Sequence, residues 1–301
     1  MKFSVTKEIF TIHSPFLITH FLYSTSMIWP LKPKSTKQIA RIEISGAIAG
    51  NTRDQVLKAL KTVKEKKFPA LLLRIDSPGG TVVDSQEIYE ALKKLGETVK
   101  IVASFGNISA SGGVYVGMGA SHIMTNPGTI TGSIGVILRG NNLERLLEKV
   151  GVSFKVIKSG PYKDILAFDR ELLAEEQEIL QNMIDNTYQQ FVETVAEARK
   201  LSVEAVKQFA DGRIFTGKQA VELGLVDRLG TEEDARVWAA ELAGLNPEKA
   251  EFFTIEEPKP FLKKVLNQNQ LSLQTHQFNN VVNWLDFELS TSGQPLWLYK
   301  P

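Results

Sequence analysis

One short apolar run constrains the fold more than any other feature of the chain. Residues Ala70 to Asp76 read ALLLRID and stop at the turn sequence Ser77-Pro-Gly-Gly80. Apolar residues at consecutive positions over so short a run are typical of a parallel strand buried on both faces. Such a strand needs helices on each side of its sheet, so the run predicts an α/β fold.

The flanking segments continue this pattern, with strands and helices expected in alternation. Strands are predicted at 39–46, 99–105, 122–124, 133–138 and 153–157, and helices at 51–66, 82–95, 142–150 and from Ser111 onward. Apolar residues then recur at helical spacing over 179–195, and Thr216-Gly-Lys-Gln219 has the form of a capping box. The alternation indicates βαβ units with right-handed crossovers.

Composition narrows the function classes. The chain has 301 residues, 43% hydrophobic and 23% charged, which is ordinary for a globular protein with a sizeable core. A net charge of +1 gives no indication of a nucleic-acid partner. There is no cysteine, which excludes disulfides and thiolate nucleophiles, and the four histidines lack the spacing of a metal site. We therefore expect neither a metal nor a cofactor.

The chain divides into three expected parts: an N-terminal extension (1–37), a folded domain (38–245) and a C-terminal tail or arm (246–301). Within the extension, residues 9–31 contain no Asp, Glu, Lys or Arg and are long enough to span a membrane, for which about 20 residues suffice. Pro15 and the Ser24-Thr-Ser26 cluster make this run a poor hydrocarbon span, and no signal-peptide cleavage site is evident. A weak anchor, an interfacial segment and a plain extension all stay open.

Two glycine-rich turns mark a candidate site. Nine of the 22 glycines lie between Phe105 and Gly140, a density that implies close backbone approach. Ser109-Ala-Ser-Gly-Gly113 follows one predicted strand, and Ser77-Pro-Gly-Gly80 follows another. Loops at the carboxyl ends of parallel strands meet at one edge of the sheet. Backbone N–H groups from two such turns are what an oxyanion hole requires.

The nucleophile of such a site is a serine, and Ser109 and Ser111 are equal candidates on the residues alone. The α/β-hydrolase motif G-x-S-x-G is absent because position 109 is not glycine, and Gly217-Lys218-Gln219 does not complete a phosphate-binding loop. His122 follows Ser111 by 11 residues, with a predicted helix between them. A core or surface role is therefore favoured for His122 over that of a catalytic base.

A lysine is the remaining candidate base. A lysine accepts a proton only in its neutral form, which burial or neighbouring positive charge favours. Lys163 lies in the loop Lys158-Ser-Gly-Pro-Tyr-Lys-Asp164, but spacing alone does not distinguish it from a solvated loop lysine. Asp76 and Asp164 are interpreted as residues that fix loop backbones.

Four motifs together resemble those of a known family. They are Asp76-Ser-Pro-Gly-Gly80, Ser109-Ala-Ser-Gly-Gly113, Asn126-Pro-Gly-Thr-Ile-Thr-Gly-Ser-Ile-Gly135 and Ser159-Gly-Pro-Tyr-Lys-Asp164. Their order and spacing resemble the S49 serine peptidases, the signal peptide peptidase A family in its single-copy form, over about residues 38–243. The resemblance implies a crotonase/ClpP-like α/β fold with repeated ββα and βαβ units and a helical C-terminal part. It makes residues 38–245 the peptidase domain.

The resemblance also implies roles for individual residues. Ser111 becomes the nucleophile, Lys163 the general base, and Ser133 the residue whose hydroxyl orients the lysine amine. The oxyanion donors would be the amide of Gly112 or its neighbour and one from Gly79-Gly80. Expected substrates are apolar peptides such as remnant signal peptides, hydrolysed through an acyl-enzyme. The expected partners are further copies in a ring, and the expected location is the bacterial membrane, with the cytoplasm as the alternative.

Two features depart from the family pattern. Ser121 occupies a position where relatives often carry a carboxylate, and the N-terminal segment is a weaker anchor than in many relatives. Two other classes stay open: a crotonase-type acyl-CoA enzyme, which would need an acidic residue near the glycine turns, and a catalytically silent oligomeric scaffold.

Overall fold

The computed structural model describes residues 37–255 and 293–299. The strands are β1 (Ile39–Ser45), β2 (Ala70–Ser77), β3 (Gly79–Thr81), β4 (Lys100–Ala110), β5 (His122–Thr125), β6 (Ile130–Gly132), β7 (Ile214–Thr216), β8 (Arg228–Leu229), β9 (Phe252–Thr254) and β10 (Leu296–Leu298). The helices are α1 (Gly50–Glu65), α2 (Val82–Gly96), α3 (Gly112–Gly117), α4 (Glu144–Val150), α5 (Ala174–Arg199), α6 (Val203–Lys207), α7 (Gly217–Glu222) and α8 (Glu232–Leu242).

The uncharged run 9–31 lies outside the described residues. Among the helices in the described part, none is long and apolar enough to cross a membrane.

Eight of the described strands form one sheet, in the order β7-β6-β4-β2-β1-β9, with β5 paired to β4 and β8 paired to β5. The central strands β1, β2 and β4 are parallel. Strand β4 changes its neighbour along its length, because Val102–Phe105 pairs with β5 and Ile108–Ala110 pairs with β6. The end of β6 therefore lies beside the end of β4.

Strand β2 is buried on both faces, as its sequence predicts. Leu71, Leu73 and Ile75 belong to a core cluster shared with α1, α2, α3 and α5. The alternate residue Leu72 belongs to a second cluster, which includes Trp238 of α8. Alternating side chains thus face opposite helical layers, and the α/β prediction is confirmed.

Two predicted strands are wrong. The strand expected at 133–138 lies instead at Ile130–Gly132, because Gly132 and Ser133 take positive φ values of 87° and 52° that end the extended conformation. Residues 153–157 form no strand, and their side chains are exposed. An apolar run extends into a sheet only where a partner strand can pair with it, and within the described chain these residues have none.

Strand β10 joins the domain from the far end of the chain. It pairs antiparallel with β3, and on its other side Leu296 N–H donates to Ile137 O (2.9 Å) while Ile137 N–H donates to Leu296 O (3.1 Å). The Trp297 side chain is fully buried, stacked on Tyr115 with ring centroids 4.0 Å apart and 4.8 Å from Phe191. Its indole Nε1 has no hydrogen-bond partner among the described residues. Part of the expected tail therefore supplies a core side chain.

This packing predicts the effect of two substitutions on stability. We expect Trp297→Ala to lower the free energy of unfolding by about 3–5 kcal/mol, because it removes a stacked ring and leaves a cavity. Trp297→Phe is expected to cost far less, since it keeps an aromatic ring and removes a buried N–H that has no acceptor. Urea unfolding of both variants checks this, and equal losses would contradict the packing argument.

Candidate active site

Ser111 lies at the strained turn between β4 and α3. Its backbone has φ 52° and ψ −115°, a region that residues with a side chain rarely occupy. The turn is held by Ser111 N–H, which donates to Gly132 O (2.8 Å), and by Ser111 O, which accepts from Tyr115 N–H (3.0 Å). Within the described residues, the Ser111 hydroxyl forms no hydrogen bond, so it is not committed to a structural role. Such strain is commonly kept at functional sites.

Ser109 has different surroundings. It lies within β4, is fully buried, and its Oγ has no hydrogen-bond partner in the described part of the chain. A Cβ atom added at Gly113 would lie 3.3 Å from this oxygen, so the start of α3 packs tightly over it. The two serines, which sequence alone does not separate, thus occupy distinct environments: Ser109 lies inside a strand, and Ser111 lies in the buried turn that follows it.

Ser133 lies next to Ser111. Ala110 and Gly132 are register partners in β4 and β6, so the two serines follow paired residues at the ends of neighbouring strands. Ser133 N–H donates to Arg213 O (2.7 Å), which fixes its backbone at φ 52°. Ser133 also lines a cavity of ≈ 340 Å³ together with residues from 135–137, from α5 and from β10.

The two glycine turns meet, as predicted. A Cβ atom added at Gly79, which has φ 103°, would lie 2.6 Å from Gly112 N, and one at Gly112 would lie 3.0 Å from Gly80 N. The amide of Gly79 already donates to Ser77 Oγ (3.1 Å). Gly112 is the first residue of α3, and amides in a first turn have no partner within the helix. The short distances to an added Cβ atom show that Gly79 and Gly112 leave no room for a side chain where the two turns meet.

A peptide carbonyl already lies against these turns. Added Cβ atoms at Gly79 and at Gly112 would both collide with the carbonyl oxygen of Trp297, the second at 2.9 Å. This carbonyl belongs to the residue that pairs with Gly80 in the β3–β10 ladder.

In the described chain, no hydrogen bond joins Lys163 to either serine. Its side chain is exposed and has no hydrogen bond or ion pair with any described residue, whereas Ser111 is 1% exposed. The turn that carries it is closed by Lys163 N–H, which donates to Gly160 O (3.3 Å). Asp164, the next residue, is bonded through Arg170 to Glu176 at the start of α5.

Distances along helix α5 relate the Lys163 turn to the cavity beside Ser133. The cavity beside Ser133 is lined by Asp185 and Tyr188, which lie further along α5 than Glu176. Nine residues separate Glu176 from Asp185, or about 14 Å at the rise of an α-helix. The Lys163 turn is thus attached to α5 about 14 Å along the helix from the residues that line the cavity beside Ser133.

The other candidates have structural contacts. His122 packs edge-on against Trp238 of α8 with ring centroids 4.7 Å apart, and burial lowers its pKa. Asp76 accepts hydrogen bonds from Asn107 Nδ2 (2.8 Å) and Ile108 N–H (3.1 Å), which hold β2 to β4 where their register shifts. Tyr162 donates to Glu175 (3.0 Å). These contacts agree with the structural roles inferred for His122 and Asp76.

Sequence analysis missed Arg170 and Glu176, which anchor the Lys163 turn. Glu176 is the third residue of α5, and its carboxylate accepts from Leu173 N–H (3.0 Å) at the N-cap. An acidic residue at this position is a recognised capping signal, so Glu176 could have been found. Nothing in the local sequence indicates that Arg170 is its partner.

Comparison with known proteins decides the family. Residues 93–246 match Peptidase family S49, and residues 34–127 match Clp protease. A protein of Synechocystis sp. described as a protease is 72% identical over 278 residues, which cover 91% of this chain and 100% of the relative. The chain belongs to peptidase family S49. It is therefore a serine peptidase, as predicted.

Other S49 relatives and a solved structure agree. An Enterococcus faecium protein described as signal peptide peptidase SppA is 39% identical over 214 residues, 67% of this chain and 62% of that protein. The chain thus spans less than two thirds of this second relative. A solved structure of a mutant of the 1510-N membrane-bound stomatin-specific protease superposes with a TM-score of 0.52 at 15% identity, covering 73% of this chain and 98% of that one. The ClpP/crotonase-like fold is confirmed.

Proposed function

We propose that this S49 peptidase hydrolyses peptide bonds with Ser111 as nucleophile, Lys163 as general base and Ser133 as the residue that orients the lysine amine. One observation carries the proposal. Ser111 lies on a strained turn with an uncommitted hydroxyl, beside Ser133 and against two converging glycine turns. Nucleophile, orienting hydroxyl and oxyanion donors then share one edge of the sheet.

The reaction follows from this arrangement. The neutral amine of Lys163 takes the proton of Ser111 Oγ as that oxygen attacks the scissile carbonyl. The amide of Gly112 and one from Gly79-Gly80 stabilise the oxyanion. The protonated Lys163 then gives its proton to the leaving amine, and water, deprotonated by Lys163, hydrolyses the acyl-enzyme.

We propose extended apolar peptides, such as remnant signal peptides, as substrates. The cavity beside Ser133 is lined by apolar side chains, among them Ile137, Ile184 and Leu298, together with Asp185 and Asp211, and its apolar part suits an apolar side chain of the peptide. Peptides commonly bind proteases by main-chain pairing with a strand edge. A serine-reactive fluorophosphonate and an apolar fluorogenic peptide test the activity. If the folded wild type neither reacts nor hydrolyses, the acyl-CoA or scaffold alternative is favoured.

Assembly into a ring is the second part of the proposal, with Lys163 supplied to Ser111 by a neighbouring copy. Its support is the separation along α5 and an apolar arm, residues 143–157, that lies exposed in the single chain. Within this arm Leu146, Val150 and Ile157 are all more than half exposed. Large apolar side chains that are exposed together in one segment are typical of an interaction site.

Mixing two inactive variants tests the shared site. We expect Ser111→Ala and Lys163→Ala to be inactive alone and to regain part of the wild-type activity when co-expressed, because some sites then combine an intact serine with an intact lysine. The measurement is hydrolysis of an apolar peptide by the co-purified mixture. A mixture that assembles and stays inactive would show that serine and lysine belong to the same copy.

We further propose membrane contact, peripheral or weakly anchored, through residues 9–31. The support is the absence of Asp, Glu, Lys and Arg from this run. Fractionation of cells that express the full chain or a form without residues 1–37 tests it, and equal membrane content in both would overturn it.

A further inference from the structure

A buried ion cluster lies at the base of the Lys163 turn. Its centre is Glu176, whose side chain is 0% exposed. A buried carboxylate needs compensation by a cation and by hydrogen bonds. Arg170 supplies both: its Nη2 donates to Glu176 Oε1 (2.6 Å) and its Nη1 donates to Glu176 Oε2 (2.8 Å). This two-point pairing fixes the plane of the guanidinium.

The same guanidinium holds the residue that follows Lys163. Arg170 Nη2 also donates to Asp164 Oδ1 (2.9 Å) and to the main-chain oxygen of Asp164 (3.0 Å). Lys158 closes the turn from the other side, because its Nζ donates to Asp164 Oδ1 (2.6 Å) and to Pro161 O (2.9 Å). The backbone on both sides of Lys163 is thus fixed while its own side chain is left without a partner in the described chain.

Helix α5 extends this attachment toward the serine. Its N-terminal turn carries Glu176, and its later turns pack on α3, the helix that Ser111 begins. Thr194 Oγ1 donates to the Tyr115 hydroxyl (3.2 Å), and Phe191 packs edge-on against the Tyr115 ring. One helix therefore holds both the lysine turn and the serine helix of each copy, so that in a ring every copy presents its serine to one site and its lysine to the next, each from a rigid support.

We propose that Arg170 and Glu176 are positioning residues for the general base, fixing the turn that presents Lys163. The inference rests on the proposed role of Lys163 and adds two residues to the site. Neither residue touches substrate; each acts by holding Asp164 and hence the adjacent lysine.

The charges of the cluster persist over the range in which a peptidase is assayed. Arg170, and then Lys158, lower the pKa of Asp164 to about 2. Arg170, and then the Leu173 amide, lower the pKa of Glu176 to about 2. Because both pKa values lie below the usual values, the stabilisation is present above about pH 4 and is lost as the pH falls toward 2. A change in the pH–rate profile between pH 6 and 10 therefore does not come from titration of these carboxylates.

The decisive experiment compares Arg170→Gln with Arg236→Gln. Arg236 is a matched control, since it also pairs with a carboxylate, Glu233, and donates to main-chain carbonyls, those of Pro247 and Ala250, but at α8. We expect Arg170→Gln to lower kcat for an apolar peptide at least about tenfold, because small misplacements of a catalytic group are costly. We also expect the rising limb of its pH–rate profile to move to higher pH, since Asp164 then keeps only Lys158 as a cationic partner and its carboxylate favours the protonated form of the neighbouring Lys163 amine.

The variants separate positioning from simple stability. Arg170→Lys keeps the charge but loses the two-point geometry, so it should fall between Arg170→Gln and wild type. The double variant Arg170→Gln/Asp164→Asn should return the rising limb of the pH–rate profile toward its wild-type pH, because the Asp164 carboxylate is then absent, while kcat stays low. If an Arg170 variant that folds by circular dichroism keeps the wild-type kcat and limb while only its melting temperature falls, the positioning role is wrong. Should Arg170→Gln not fold, Arg170→Lys decides alone by the same two readouts. An inactive wild type would instead overturn the proposed function.

Discussion

Ser111→Ala is expected to lower kcat/KM for an apolar peptide by at least about 10³-fold and to abolish fluorophosphonate labelling, as for other serine nucleophiles. The reason is direct, since the substitution removes the attacking oxygen and leaves the turn unchanged. Alanine keeps the Cβ atom, so the strain at φ 52° is the same in both proteins. Activity, labelling and unfolding free energy should be measured on the same preparations, so that lost chemistry is distinguished from lost folding.

Ser109→Ala provides the matched control. The Ser109 hydroxyl is buried without a partner in the described residues, so its removal should change stability little and leave labelling intact. Labelling that persists in Ser111→Ala and disappears in Ser109→Ala would reverse the assignment of the nucleophile.

Lys163→Ala is expected to have an effect of similar size, at least about 10³-fold on kcat, because the serine then has no base. Lys163→Arg should be equally inactive, since a guanidinium cannot be deprotonated in a protein. Wild-type activity should rise with pH as the lysine amine loses its proton and fall as the pH drops. Peptide hydrolysis measured between pH 6 and 10 gives both the loss of kcat in the Lys163 variants and the pH dependence of the wild-type activity.

Lys94→Ala is the control for Lys163, because Lys94 is also exposed but lies on α2, outside the arm 143–157 proposed to assemble the ring. It should retain wild-type activity and the same pH dependence. Near wild-type hydrolysis by Lys163→Arg would show that another group takes the proton. His122 is then the first residue to replace, although it packs against α8.

The local sequence predicted most of the core because its signals are local. The spacing of apolar residues in Ala70–Asp76 and in the segments around it determines which faces of the strands and helices are buried. The capping box at Thr216 likewise forms as predicted, with helix α7 starting at Gly217. The error at 153–157 has the opposite origin: a strand needs a partner, and periodicity carries no information about partners.

The site was predicted unevenly for the same reason. The meeting of the Gly79-Gly80 and Gly112 turns follows from strand order in a parallel sheet, and the structure confirms it. The choice of Ser111 and Lys163 came from resemblance to S49 peptidases and stays a prediction. Spacing along the chain could not show where the Lys163 turn lies, because that depends on its attachment to α5 through Arg170 and Glu176.

The sequence by itself determined the α/β layers, the two glycine turns and a set of polar side chains able to carry out acyl transfer. Each of these depends on residues close together along the chain. The tertiary structure alone decided that Ser133 lies beside Ser111, that Trp297 completes the core from the last strand, and that Arg170 joins the lysine turn to Glu176. These contacts depend on strand register and on closure of long loops, which the free energy of the whole fold selects and no local pattern encodes.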